Sequence, residues 1–178
     1  SSDLGGVRGD GVIGTLKFPS TGKFKFEVTS STTWTGFQPG IYNLISGTNG
    51  SATNYLTSGA SDVGSYGFYL VSGNLGKTVA GVNTSNVVSS VTWAANDTLT
   101  VIYDATNGTL ELKKNNSSLY TITGIPAGNF YPYGGYAGPS TGTAEFNYGQ
   151  IPCTYTDTGC NALCTDRKST RLYSSHTD

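Results

Sequence analysis

The sequence predicts an all-β fold: two antiparallel sheets packed face to face as a sandwich of jelly-roll type. Three observations carry that reading. About ten short segments place apolar residues at every second position, and none shows helical periodicity. Glycine occurs 25 times, where average usage of ~7% would give about 12. The charged fraction is 12%, about half the ~25% of an average soluble domain. Ser, Thr, Asn and Tyr take the places that Lys and Glu usually hold, a balance that suits a chain with many turns and is common outside the cytoplasm.

The clearest single element is a hairpin, Asn96 to Asn116. Leu99, Val101 and Tyr103 alternate with Thr98, Thr100 and Ile102, the period-two pattern of a strand with two unlike faces. Asp104 to Gly108 supplies turn chemistry: Asp104 is placed to bond nearby backbone amides, and Asn107-Gly108 can take the positive φ of a tight reversal. Leu110 and Leu112 then alternate with Thr109, Glu111 and Lys113 as the chain returns.

At 178 residues the chain fits one domain with a real hydrophobic core. A net charge of −1 and the lack of a basic cluster in the β region argue against nucleic-acid binding. No apolar run approaches the ~20 residues that a membrane helix needs. The sequence contains no Met and is read as a fragment of a longer protein.

Taken in order, Ser1 to Gly14 is a Gly-rich lead-in. Its Arg8-Gly9-Asp10 matches a tripeptide read by adhesion receptors, but a bend into the first strand explains Gly and Asp there more simply. Thr15 to Pro19, with Leu16 and Phe18, reads as a short strand. Lys23 to Val28 is the clearest: Phe24, Phe26 and Val28 face one way, and Lys23, Lys25 and Glu27 the other, so one face is buried and one wet. Trp34 to Phe37 is another short strand, and Trp34 and Trp93 are assigned to the core. Gln38 to Asp62 is rich in Gly, Ser, Thr and Asn and reads as a functional loop region or short edge strands. Tyr66 to Val71 is extended, Ser72 to Gly76 turns, Lys77 to Val82 is weakly extended, and Val87 to Trp93 leads into the hairpin. Leu119 to Ile125 alternates after it. Phe130 to Tyr136, interrupted by Pro132, reads as an edge or bulged strand. Thr143 to Tyr148 closes the set, with Ala144, Phe146 and Tyr148 on one face.

No catalytic constellation accompanies these elements. The one His is His176, near the end of the chain, which leaves no Ser-His-acid set. Glu27, Glu111 and Glu145 are isolated on strands and read as a solvated outer face, without the close carboxylate pair of a glycosidase. Cys153, Cys160 and Cys164 match no zinc spacing, and an odd count is not a complete disulfide framework. The expectation is no enzyme, no metal, no cofactor, and free thiols.

Six stretches in order resemble the SPRY (B30.2-like) family, a concanavalin-like sandwich. Thr21 to Val28 is similar to its opening strand, Gly36-Phe37 to its glycine step, and Gly67 to Lys77 to its Gly-Tyr section. Asn96 to Lys114 resembles its central hairpin, with Asp104, Gly108, Thr109 and Leu110 in register. Tyr131-Pro132 and Phe146 to Gln150 resemble the two closing motifs. The nearest flavour is the SPRY domain of bacteriophage and environmental virus structural proteins. There the last strand runs into a segment that Ile151 to Thr165 resembles, with Cys153 and Cys160 where Phe is usual and Asp157 where Pro is usual. The other departures are Asn96 for the usual Gly and an insertion around Asp10-Gly11. The resemblance divides the chain into a sandwich over 1–150, an extension that begins a linker over 151–165, and a tail over 166–178. That tail reads like a translated sequencing adapter, differing only at Tyr173, and is set aside.

What the resemblance implies is a non-catalytic recognition module of a virion or extracellular protein. Its partners would be a host-surface protein or glycan and other virion proteins, without nucleic acid or membrane insertion. SPRY domains bind through variable loops at one end of the sandwich, here Gln38 to Asp62, Ser72 to Asn86 and Ala137 to Gly142. Tyr42, Tyr55 and Tyr66 are the candidate ligand-binding side chains, since a phenol joins a flat apolar face to a hydrogen-bonding hydroxyl. Packing under the loops is the competing role for them. A ligand-free structural spacer and a carbohydrate-binding module of a secreted bacterial protein are the alternative functions.

Overall fold

The computed structural model describes residues 11–33, 36–43, 63–136 and 144–163. Among them are twelve strands and no helix. The first sheet runs, in spatial order, β1 (Gly11–Ile13), β10 (Phe130–Tyr136), β3 (Phe37–Asn43), β4 (Ser65–Val71), β5 (Gly73–Val79) and β6 (Val82–Val91). The second runs β11 (Ala144–Asn147), β2 (Lys23–Ser30), β7 (Thr98–Asp104), β8 (Thr109–Lys114) and β9 (Ser117–Ile122). All neighbours along both orders are antiparallel, and a short β12 (Asn161–Ala162) joins β2 in parallel. The all-β two-sheet sandwich that the sequence predicts is the architecture observed.

The core lies between the sheets, where alternation puts it. Phe26 and Val28 of β2 stand opposite Val101 and Leu99 of β7, and Leu110 and Leu112 of β8 stand opposite Tyr103 and Val101. All are buried, as are Phe37, Ile41, Phe68, Leu70 and Leu75 from the first sheet. A run of edge-on aromatic contacts closes one end of the core: Phe18 to Tyr103 at 5.2 Å, Tyr103 to Phe130 at 5.5 Å and Phe130 to Tyr66 at 5.5 Å. Such pairs add about 0.5–1.5 kcal/mol each beyond area burial.

Several elements differ from the sequence reading. Thr15 to Pro19 is not a strand: Leu16 is 40% exposed, while Phe18 is buried and its amide donates to the Phe130 carbonyl at 2.9 Å. The first strand lies instead in the Gly-rich lead-in. Gln38 to Asn43, part of the stretch read as a functional loop region or short edge strands, belongs to β3, an inner strand, and is buried throughout. Its Pro39 and Gly40 hide the strand signal, and Gly40 is required there because a Cβ would sit 2.4 Å from the Tyr66 carbonyl oxygen. β10 is no edge strand, since it lies between β1 and β3. Pro132 is accommodated because its carbonyl, which accepts from Gly14 at 2.8 Å, faces β1 just where that strand ends. The turn read at Ser72 to Gly76 is confined to Ser72, and Gly73 already pairs in β5. β6 starts at Val82, five residues before the expected Val87, because an exposed edge strand needs no apolar alternation. Trp34 and the tail over 166–178 lie outside the described residues.

Both ends of the β7–β8 hairpin are fixed by side-chain bonds. At the turn, one Asp104 carboxylate oxygen accepts from the amides of Thr106 (3.0 Å) and Asn107 (2.9 Å), and the other from the Asn107 side chain (2.8 Å). Burial raises the Asp104 carboxyl, but the bonds from Asn107 and Thr106 outweigh it and hold the pKa below the ordinary value. Gly108 follows at φ +61, and its carbonyl accepts from the Ile125 amide at 3.0 Å. At the other end, Asn115 and Asn116 take positive φ in a two-residue turn. Asn115 bonds the Thr98 amide and the Asp97 carboxylate at 2.8 and 2.7 Å, and Asp97 in turn accepts from the Ala94 amide and meets Lys114 at 3.0 Å. The neighbouring Trp93 is buried, and its indole N–H reaches the carbonyls of Val71 and Asn74 in the first sheet. This joint ties the two sheets together.

A matched pair of substitutions tests the hairpin. A Cβ at Gly108 would lie 2.3 Å from the Ile125 carbonyl oxygen, whereas one at Gly73, also at positive φ, meets nothing within 4 Å. Denaturant unfolding should show Gly73→Ala costing about 1 kcal/mol, the backbone term alone. Gly108→Ala should cost about 2–4 kcal/mol, because the backbone at Ile125 must also move. Equal losses would show that the contact with Ile125 carries no weight.

Candidate functional site

The strands that lead into the loops expected to form one recognition surface end at different places. β3 finishes at Asn43 beside Phe130, whereas β10 finishes at Tyr136 beside Phe37. The chain therefore leaves these two strands from opposite ends of the first sheet. Most of Ser72 to Asn86 is not loop but β5 and the start of β6. Tyr42 lies in β3 at 2% exposure, clustered with Tyr133 and Ile13, and Tyr66 lies in β4 at 6%, edge-on to Phe130. As placed, both side chains are buried. Tyr55 lies outside the described residues, as do 44–62 and 137–143.

The outer face of the second sheet holds the more informative site. Lys25 and Glu27 point away from the core, as their alternation with Phe24 and Phe26 demands, yet they are 5% and 2% exposed. The cover is the chain's own segment after β11. The Glu27 carboxylate accepts from the consecutive amides of Thr154 (2.6 Å) and Tyr155 (3.0 Å). The Lys25 ammonium donates to the Tyr155 carbonyl and to Asp157. Lys113 reaches the other oxygen of Asp157 from β8. β12 then lies along Phe24 and Lys25, and the Leu163 amide donates to the Lys25 carbonyl at 3.3 Å.

Within the extension over 151–165, read from sequence as beginning a linker, residues 151–163 form a strap clamped to the sheet. The expected wet face is dry beneath it: Thr100 and Ile102, on the outer side of β7, are 0% and 2% exposed. Thr100 Oγ1 is the one buried side-chain polar atom without a partner among the described residues. The departure from the family pattern at Asp157 is the residue that draws both lysines. Burial raises its carboxyl, but hydrogen bonds from Lys113 and Lys25 bring the pKa below the ordinary value, and the same bond raises Lys113. Cys153 and Cys160 are half-buried free thiols on the strap, and burial pushes both upward, so they are protonated at neutral pH. Among the described residues no group of three or more His, Cys, Asp or Glu could hold a metal ion.

Where the strap leaves β11 it opens a groove of about 310 Å³. Thr29, Glu145 and Phe146 line its sheet side, and Gln150, Ile151 and Pro152 its strap side. Asn147 accepts from the Gly149 amide at 2.9 Å, and Gln150 accepts from the Tyr148 amide at 2.6 Å, so the reversal that shapes the groove is held by its own side chains. Ile151 is 65% exposed. Glu27 and Glu145 both face the groove, but both Glu27 oxygens are engaged by the strap. The arrangement offers binding rather than acid–base chemistry. Sequence reasoning missed it because Glu27 and Lys25 look like any solvated strand face; Asp157 in place of Pro was the one local signal.

No family model matches the sequence, and no curated protein matches it. Solved structures do. The TRIM65 PSpry domain superposes with a TM-score of 0.58 at 14% identity, over 79% of this chain and 70% of that one. The SPRY domain of human HERC1 gives a TM-score of 0.58 at 14% identity, over 80% of this chain and 84% of that one. At such identity the likeness speaks to the fold: the chain is a SPRY-like β-sandwich.

The strap's electrostatics set its pH range. Asp157 contributes above its ordinary carboxylate pKa and loses that contribution as pH falls through the depressed one; Lys113 contributes below its ordinary pKa and loses it as pH rises through the raised one. The clamp is therefore constant from about pH 5 to about pH 9. The amide resonances of Thr154 and Tyr155 should shift only below the first limit or above the second. Asp157→Ala, which strands two partly buried lysines, should lower the free energy of local opening at those amides by about 2 kcal/mol. Unchanged hydrogen exchange in that variant would show that Glu27 alone holds the strap.

Proposed function

We propose that this domain is a non-catalytic recognition module that binds protein partners, with the groove beside β11 as its docking point. The observation that carries the reading is that groove: an open cavity of about 310 Å³ with exposed Ile151 on its wall, set on a rigid sheet. Contact surfaces of this kind place an apolar anchor at the centre and polar groups at the rim. The SPRY-like fold supports the same reading by analogy, since it is a scaffold rather than a reaction centre.

The likeness of Ile151 to Thr165 to the closing segment of phage SPRY domains favours a virion or tail protein as the setting of the module. Its location is then the virion or an extracellular surface, and its partners are a host-surface protein or glycan and neighbouring virion proteins. Tail or capsid genes beside the coding sequence would support this context, and a catalytic domain in the same reading frame would replace it with a secreted bacterial protein.

Selection of displayed peptides on the full chain, with a glycan array in parallel, tests the function. Saturable protein or peptide binders that lose about ten-fold or more in affinity on Ile151→Asp are the expected result. Binders indifferent to Ile151→Asp but sensitive to Tyr55→Ala would move recognition to the loops. A folded chain with no binder in either format would leave the spacer reading.

A further inference from the structure

We infer that the groove takes an arginine side chain from an extended peptide laid alongside β11, with Glu145 as the carboxylate that selects it. The inference rests on the recognition reading above and adds the chemistry of the partner.

Size comes first. At about 310 Å³ the groove lies at the bottom of the ~300–1,000 Å³ range of small-molecule sites. It has room for one long side chain rather than for an oligosaccharide. Position comes second. β11 is the terminal strand of the second sheet and pairs only with β2 among the described residues. Its Ala144 and Phe146 turn to the core, so Glu145 and Asn147 turn to the outer face where the groove lies. An extended peptide added to such an edge gains main-chain hydrogen bonds and sends alternate side chains to the same face. The residue opposite Glu145 would have its Cβ about 4.5–5.5 Å away.

Charge comes third. Both carboxylates at the groove are acidic, and the nearby cations are already committed: Lys25 to Tyr155 and Asp157, and Lys113 to Asp157. Glu27 is committed to the strap, whereas the exposed Glu145 has no ion pair or hydrogen bond among the described residues. The complement is a cation on an aliphatic stem. The stem packs along Ile151 and Pro152, and the head meets Glu145. Arginine fits better than lysine because its planar fork engages a carboxylate through two parallel bonds.

The probe is the capped peptide acetyl-Thr-Val-Arg-Val-Thr-amide, titrated into the full chain and followed by amide chemical shifts. Saturable shifts confined to β11 and residues 148–154 are expected. Affinity should fall about ten-fold or more with Glu145→Gln, and equally when citrulline replaces arginine in the peptide. Glu145→Gln keeps the shape of the groove, and unchanged unfolding would confirm that the fold is intact. Equal binding of the citrulline peptide, shifts elsewhere, or no binding would overturn the inference. Sugar binding at Asn147 and Gln150 would overturn it in favour of a glycan. If selected binders use Ile151 but carry no arginine, the inference fails while the recognition reading stands; if nothing binds in any format, both fail.

Discussion

The register between β2 and β7 is the constraint on which the rest of this structure depends. Seven residue pairs, from Lys23 with Asp104 to Thr29 with Thr98, decide which side chains face inward. A slip of one residue would send Lys25 and Glu27 into the core and Phe26 and Val28 out. It would abolish the sandwich and the strap together, because one strand serves both. The inner face of β2 packs against the first sheet; its outer face holds Thr154, Tyr155 and Asp157. Its two edges carry β7 on one side and β11 with β12 on the other.

That enclosure changes what the few charges do. In a chain this poor in Lys and Glu, solubility is the ordinary task of the charged residues. Here Lys25, Glu27, Lys113 and Asp157 are spent on holding the chain to itself. Glu27 receives two consecutive backbone N–H groups of the strap. Asp157 is flanked by two cations, which is why its pKa falls despite its burial. The clamp works as a unit: each acidic group is satisfied, and removing any one leaves a buried charge or amide unmatched.

How much of this was legible in the sequence follows from where alternation survives. Lys23 to Val28 and Thr98 to Lys113 bury one face in the core and keep polar side chains on the other, so period two is visible. β3 is enclosed on both faces and packs so closely against β4 that a glycine is needed at position 40. Pro39 and Gly40 then read as turn residues, and the strand disappears into apparent loop. β10 was placed at an edge by Pro132, but the register shows that a missing N–H is harmless where the neighbouring strand has already ended. The site was less legible than the fold. Tyr66 shares the core face with Ile41, whereas Tyr42 lies on the opposite face of the first sheet with Tyr133 and Ile13; both are buried, and no local pattern announces it. Glu27 and Lys25 carry the usual signature of a wet face, and only a segment about 125 residues further along, docking through long-range contacts, makes them dry. The turn at Asp104 and Gly108 was visible because its chemistry is local; the joint at Asp97, Lys114 and Asn115 was not, because it needs two turns to meet.

The strap also has a mechanical consequence. Traction arriving from residues beyond Leu163 meets the parallel pairing of β12 with β2 first, then the ion pairs at Asp157, then the amides on Glu27, and only after these the antiparallel pairing of β11. The sandwich is shielded behind a series of smaller attachments that yield before it does. Extension would therefore begin with the release of a dozen or so residues of slack, and the β-sandwich would remain folded while that length is drawn out.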